Sequence, residues 1–260
     1  MKLDIYQVDA FTKTLFKGNP AAIVPLKEWI SDAQMQSIAA ENNLAETAFI
    51  VHEKKGFRIR WFTPAVEVDL CGHATLAAAY LYFKELGYSE NTIIFNSKSG
   101  PLSVNWADEV LFLDFPTDVI SSTPLPENLE KALGASITNC IKGKTDILVE
   151  LPSQSAIEAL TPDFRLLSTI KARGIIATAK GDKVDFVSRF FAPQSGIDED
   201  PVTGSAHTTL IPYWAEKLNK NQMNALQLSK RGGELRCELR NNRVLIGGNA
   251  VLYLKGEIYI

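Results

Sequence analysis

The chain has 260 residues, enough for one or two domains with a sizeable core, and its 46% hydrophobic against 22% charged residues is the balance of a soluble globular protein. A formal net charge of −3 gives no reason to expect a nucleic-acid partner, and no apolar run approaches the roughly 18 residues that would cross a bilayer. Met1-Lys2-Leu3-Asp4 leads straight into an alternating strand rather than a signal peptide, and three widely spaced cysteines (Cys71, Cys140, Cys237) point to reduced thiols in a cytoplasmic protein.

In chain order, Lys2 to Phe11 reads as a strand, Phe16-Lys17-Gly18-Asn19-Pro20 as a turn and Ala21 to Val24 as a second strand. A helix then has clear start signals: Ser31 as N-cap, Gln34 as its capping-box partner, and Ile30 placed to staple Met35. It should stop near Glu41-Asn42-Asn43, and Thr47 to Val51 is the next strand, which puts Glu46 on the joint. Lys55-Gly56 turns the chain into the alternating strand Phe57 to Phe62, ended by Thr63-Pro64.

After the loop 65–71, the run His73 to Leu86 has almost no polar face, so it must be a helix enclosed on every side. Strands are expected at Thr92 to Phe95, Pro101 to Trp106 and Val110 to Phe115, followed by a link rich in Ser, Thr and Pro between about Pro116 and Pro126. The rest reads as strands over Cys140 to Leu151, a helix over Pro162 to Lys171, and strands over Gly174 to Ala179 and Lys183 to Phe191. A second enclosed helix, Ser205 to Leu218, precedes strands over Leu235 to Leu239, Arg243 to Ile246 and Ala250 to Ile260.

The two enclosed helices belong to a repeat. Arg60-Trp61-Phe62-Thr63-Pro64 matches Arg189-Phe190-Phe191-Ala192-Pro193 at an offset of 189 − 60 = 129, and Gly72 matches Gly204 at 204 − 72 = 132. Ser97-Lys98-Ser99-Gly100 and Ser229-Lys230-Arg231-Gly232 keep the offset of 132. The second half therefore carries three extra residues between Pro193 and Gly204, and a period this long marks a duplicated domain rather than a solenoid. The expected fold is α+β: two pseudo-symmetric domains, 1–118 and 119–260, each a curled, mostly antiparallel sheet or barrel around a central helix. The last strand is free to pack on either half.

A helix start presents free N–H groups and a positive dipole end that attract carboxylates or phosphates. Gly72 and Gly204 open the two enclosed helices and allow a ligand close to the backbone. If the halves face one another, two such ends meet in one cleft, the default site. Read one at a time, the nearby polar residues have bland explanations: Glu46 as a surface carboxylate, Ser205 as an ordinary helix-start serine, His73 as a cap, Cys71 as a small buried residue, His207 as structural, and Asp198, Glu199 and Asp200 as a solvated acidic loop. No Cys-x-x-Cys or His-x-x-x-His spacing indicates a metal.

Several stretches, in order, resemble the PhzF-like family of phenazine biosynthesis, which shares the two-domain fold of diaminopimelate epimerase. They are Asp9-Ala10-Phe11, Phe16-Lys17-Gly18-Asn19-Pro20-Ala21-Ala22, Asn43-Leu44-Ala45-Glu46-Thr47-Ala48-Phe49, the Arg60 to Pro64 stretch leading to Asp69-Leu70-Cys71-Gly72-His73-Ala74-Thr75, and Asp200-Pro201-Val202-Thr203-Gly204-Ser205-Ala206. The resemblance covers essentially the whole chain. It implies an isomerase that moves a proton within a small carboxylate-bearing molecule, with no metal or organic cofactor, and by analogy a homodimer. It further implies that Glu46 moves the proton, that His73, Asp200 and Ser205 assist, and that Asn19 lines the pocket with Gly72, Thr203 and Gly204.

The epimerase branch of the fold works with two opposed cysteines. Cys71 occupies a place like the first, but its repeat partner is Thr203, which disfavours a two-base epimerase or racemase. That reading and a non-catalytic binder of small carboxylates are the alternatives.

Overall fold

The computed structural model describes residues 1–54 and 56–260; the turn expected at Lys55-Gly56 has its first residue outside the described ones. In chain order the strands and helices are β1 (Lys2–Ala10), β2 (Asn19–Leu26), α1 (Asp32–Asn42), β3 (Glu46–Glu53), β4 (Gly56–Phe62), β5 (Glu67–Val68), α2 (Gly72–Lys84), β6 (Thr92–Ser97), β7 (Gly100–Ala107) and β8 (Val110–Pro116). They continue with β9 (Ser121–Ser122), α3 (Leu129–Leu133), β10 (Asn139–Lys142), β11 (Ile147–Glu150), α4 (Gln154–Glu158), α5 (Phe164–Leu167), β12 (Ile175–Lys180), β13 (Phe186–Ala192), β14 (Ile197–Asp200), α6 (Gly204–Leu218), β15 (Gln222–Gln227), β16 (Gly233–Arg240), β17 (Arg243–Gly248) and β18 (Ala250–Tyr259). No helix among the described residues is long and apolar enough to cross a membrane.

The chain divides into two compact units. The first is Met1–Asp114 together with Gly247–Ile260, and the second is Phe115–Ile246. The C-terminal strand, which the sequence left free to pack on either half, joins the first: β18 pairs antiparallel with β1 along its length, from Lys2↔Tyr259 to Ala10↔Ala250.

Both units follow one pairing plan. In the first, β1–β2 is antiparallel, β2–β3 parallel, β3–β4 and β4–β5 antiparallel, β4–β6 parallel and β6–β7 antiparallel. In the second, the same senses recur in the same order through β10–β11, β11–β12, β12–β13, β13–β14, β13–β15 and β15–β16. The three extra residues fall where they were expected, in a 3₁₀ turn at Pro193–Ser195 before β14. Farther on, the offset narrows. Phe57 pairs with Phe95 and Phe186 with Ala225, offsets of 186 − 57 = 129 and 225 − 95 = 130, so the matching serine turns stand at different distances from their strands.

The sheet of the first unit curls around α2, which packs on β18, β1, β2 and β3 at one end of the pairing order and on β7 at the other. Nine of its residues are buried, from His73 to Tyr82. In the second unit α6 is enclosed in the same way: Trp214 donates to Thr178 Oγ1 of β12 at 2.9 Å and stacks on Phe186 of β13 at 5.8 Å. Its last turn differs, since Glu216 and Lys217 reach solvent.

The α1 reading holds in detail. Ser31 Oγ accepts from Gln34 N, the Gln34 side chain accepts from Ser31 N, and Asn43 closes the helix in the left-handed region at φ 49°. The helix expected over Pro162 to Lys171 is shorter, Phe164–Leu167 only. Asp163 caps its start, while Ser168 and Thr169 hydroxyls donate to the Arg165 and Leu166 carbonyls and take up the groups that a continuing helix would use. α3, α4 and β15 were not foreseen.

Candidate active site

Glu46 owes its direction to strand alternation. On β2 and β3, Ala22, Val24, Phe49 and Val51 pack with Met35, Ile38 and Ala39 of α1. Residues on the opposite parity, Glu46, Ala48 and Ile50, therefore face the other side of the sheet, towards α2. There, His73 in the first turn of α2 brings Nε2 to 3.2 Å from Glu46 Oε2, with the two side chains only 6% and 13% exposed. Cys71, the N-cap of α2, sets its Sγ 3.5 Å from His73 Nδ1, so the imidazole bridges a thiol and a carboxyl group. Burial pushes the His73 pKa down to about 3, which keeps the ring neutral at pH 7. A neutral ring carries one proton, and with Nδ1 free of it the ring accepts the Cys71 S–H at 3.5 Å, while Nε2 faces the Glu46 carboxyl group at 3.2 Å.

Asn19 opens β2 and is fully buried. It is aimed by Gly18, whose φ of +65° suits glycine and where a Cβ would lie 2.1 Å from the Ala10 carbonyl oxygen. Ala21 is the register partner of Glu46, so Asn19, two residues earlier, stands on the same face of the adjacent strand. Glu46, His73, Cys71 and Asn19 thus belong to one neighbourhood of the first unit.

The second unit builds its own group at the start of α6. Thr203 Oγ1 donates to Asp200 Oδ2 at 2.5 Å. The buried Gln227 accepts from Thr203 N at 2.9 Å and donates to the Asp200 carbonyl at 2.8 Å, clamping the loop that carries both. His207 Nδ1 donates to the Thr203 carbonyl at 2.8 Å, and burial lowers its pKa to about 4. Ser205 is engaged by Arg173, which donates to its Oγ at 3.0 Å while forming a bidentate pair with the buried Asp146. Gln227, Arg173 and Asp146 were missed in the sequence, because each reaches the motif from a separate strand or loop and no local pattern announces it.

The repeat makes the two helix starts comparable. Cys71 and Thr203 are both N-caps with extended backbone, at φ −144° and −110°. The counterpart of Glu46 follows from the ladders: Phe49 pairs with Arg60 and Ala177 with Arg189, and three residues back from each stand Glu46 and Gly174. At Gly174 an added Cβ would lie 2.2 Å from Phe190 Cζ, so an aromatic ring fills the place of a side chain. Among the described residues, carboxyl, imidazole and thiol come together in the first unit only. One oxygen, nitrogen or sulfur atom from each of Glu46, Cys71 and His73 lies within 4.8 Å of the others, a donor set that linear spacing could not show.

The family model described as phenazine biosynthesis-like protein, PhzC-PhzF, matches residues 8–256. A protein of Pseudomonas aeruginosa named an uncharacterized isomerase is 52% identical over 258 residues, covering 99% of each chain. The crystal structure of a PhzF-family protein from Enterococcus faecalis superposes with a TM-score of 0.98 at 48% identity over all of both chains. A hydroxyproline epimerase from Agrobacterium vitis, covering 99% of this chain and 92% of its own, shares the fold alone, at a TM-score of 0.58 and 10% identity. With its two epimerase-type units and these relatives, the chain belongs to the PhzC-PhzF, phenazine biosynthesis-like family, as an isomerase with the diaminopimelate epimerase-like fold.

Proposed function

We propose that this isomerase moves one proton between two carbons of a small carboxylate-bearing substrate, with Glu46 as the group that takes the proton and returns it, and without a cofactor. His73, whose Nε2 stands 3.2 Å from the Glu46 carboxyl group, assists it. Asp200 and Ser205 assist by orienting the substrate. Asn19, Thr203 and the backbone at Gly72 and Gly204 bind it, the helix starts favouring its carboxylate and the charge that develops during transfer. A single acid–base group suffices for a shift in which the proton leaves one carbon and arrives at another.

The observation that carries this reading is the 3.2 Å pairing of Glu46 with His73 in one unit, set against Gly174 and the ring of Phe190 in the other. A two-base epimerase needs an opposed second base. The counterpart of Cys71 is Thr203, and the counterpart of Glu46 has no side chain.

The test is solvent exchange. Cyclic and amino-acid carboxylates, hydroxylated prolines among them because the epimerase of the same fold was crystallised with one, are incubated in heavy water and followed for deuterium uptake. With a substrate in hand, Glu46→Gln keeps the shape and removes the titration, so exchange falls by roughly a hundredfold or more while ligand affinity changes little. Cys71→Ala lowers exchange less. The reverse ranking would hand the chemistry to the thiol, and tight binding without any deuterium uptake would favour a binding protein.

A further inference from the structure

We propose that Glu46, Cys71 and His73 form a site for one thiophilic divalent cation, with Zn2+ as the type, whose occupancy switches the isomerase off. The three side chains come from two places far apart in the chain, the start of β3 and the start of α2. Cys71 and His73 are buried, 6% and 5% exposed, and Glu46 is half-buried. They offer one thiolate, one imidazole and one carboxylate, the soft and borderline donors that select zinc over magnesium or calcium. Three protein ligands leave a fourth position open, the arrangement of zinc sites that also take a water or a substrate oxygen.

The distances support it. With zinc at about 2.3 Å from sulfur and about 2.0–2.1 Å from nitrogen, a tetrahedral site has an S···N edge of about 3.5 Å. Cys71 Sγ and His73 Nδ1 are already 3.5 Å apart. Glu46 now faces the other ring nitrogen, Nε2, at 3.2 Å, and completes the set by swinging its carboxylate round to the Nδ1 side; one ligand atom of each residue already lies within 4.8 Å of the others. Binding exchanges the Cys71 S–H bond for an S–metal bond and releases one proton to solvent. It also ties up the Glu46 carboxylate, so a metal-loaded enzyme has no group left to carry the substrate proton.

Binding is measured on the full-length, chelator-treated protein, first with Zn2+ by titration calorimetry and then with Co2+ by absorption. One equivalent per chain and a thiolate-to-cobalt charge-transfer band are expected. Cys71→Ser, checked for fold by circular dichroism, loses the band and weakens binding by roughly a hundredfold or more, beyond the 10–100-fold typical of outer-shell losses. Cys140 and Cys237 remain in that variant and serve as its internal control. Glu46→Gln is the second arm: the band persists and affinity falls by at least about tenfold. No uptake of Zn2+, uptake without a thiolate band, or unchanged affinity in either variant overturns the site. None of these readouts needs turnover, so the metal site stands or falls on binding alone, whereas its action as an off-switch rests on the proton-transfer reading and is overturned if exchange, active with chelator present, is unchanged when one equivalent of Zn2+ is bound.

Discussion

Two buried histidines make stability depend on pH in a definite direction. His73 and His207 have folded pKa values of about 3 and 4, below the ordinary value near 6.5. Above pH 6.5 both are neutral in both states and cost nothing. As pH falls below that value the unfolded chain binds protons that the folded chain refuses, so stability drops by up to about 1.4 kcal/mol per pH unit for each histidine until the folded values are reached. Urea midpoints should therefore fall between pH 6.5 and 5, before most carboxylates titrate. His207→Gln, which keeps a donor for the Thr203 carbonyl, should remove one proton from that slope; an unchanged slope would show that His207 titrates normally. Glu46 and His73 could be picked from the sequence through their motifs, but their 3.2 Å pairing could not, since it depends on strand parity and on the first turn of a helix 26 residues later meeting on one face. Gln227 and Arg173 were illegible for the converse reason: neither lies in a motif, and each acts through a contact made across the sheet.

Among the elements, α6 carries a proline in its interior. Pro212 has no N–H for the Thr208 carbonyl four residues back, and the Asp118 N–H takes that carbonyl at 3.1 Å instead. The Asp118 carboxylate then accepts from Thr209 Oγ1 at 2.9 Å and from Lys144 N at 3.0 Å, so the segment read as a link is fastened to the central helix of the second unit. Asp118→Ala leaves the Lys144 N–H and the Thr209 hydroxyl without their acceptor and should destabilise the protein by about 1–3 kcal/mol in denaturant unfolding. A change within about 0.5 kcal/mol would mean water replaces the carboxylate. Elements with local signals were readable, α1 most of all through Ser31 and Gln34. β15, Gln222–Gln227, has weak alternation and draws its strand character from β13 and β16 on either side. α4 and α5 share the place that α1 holds in the first unit, and short capped turns of four or five residues carry too little periodicity to be read.

For the whole molecule, the duplication was legible because apolar helices and glycine turns recur in order, whereas the place of the last strand stayed open, because nothing in the composition of Ala250–Tyr259 says which strand it will pair with. A chain ending at Ile246 should keep the second unit folded and loosen the first. Hydrogen exchange would show protection retained in β12 and β13 and lost in β1; retained protection in β1 would mean that β18 is dispensable. The pairing of Lys2 with Tyr259 also bears on how the protein is made. At about 5–20 residues per second, roughly 10 to 50 seconds separate the synthesis of β1 from that of β18. Throughout that interval β1 keeps one edge unmatched, while the second unit, continuous from Phe115 to Ile246, has all of its residues before the first does. A ribosome that stops before β18 is made leaves β1 with an open strand edge, the feature that invites aggregation and proteolysis.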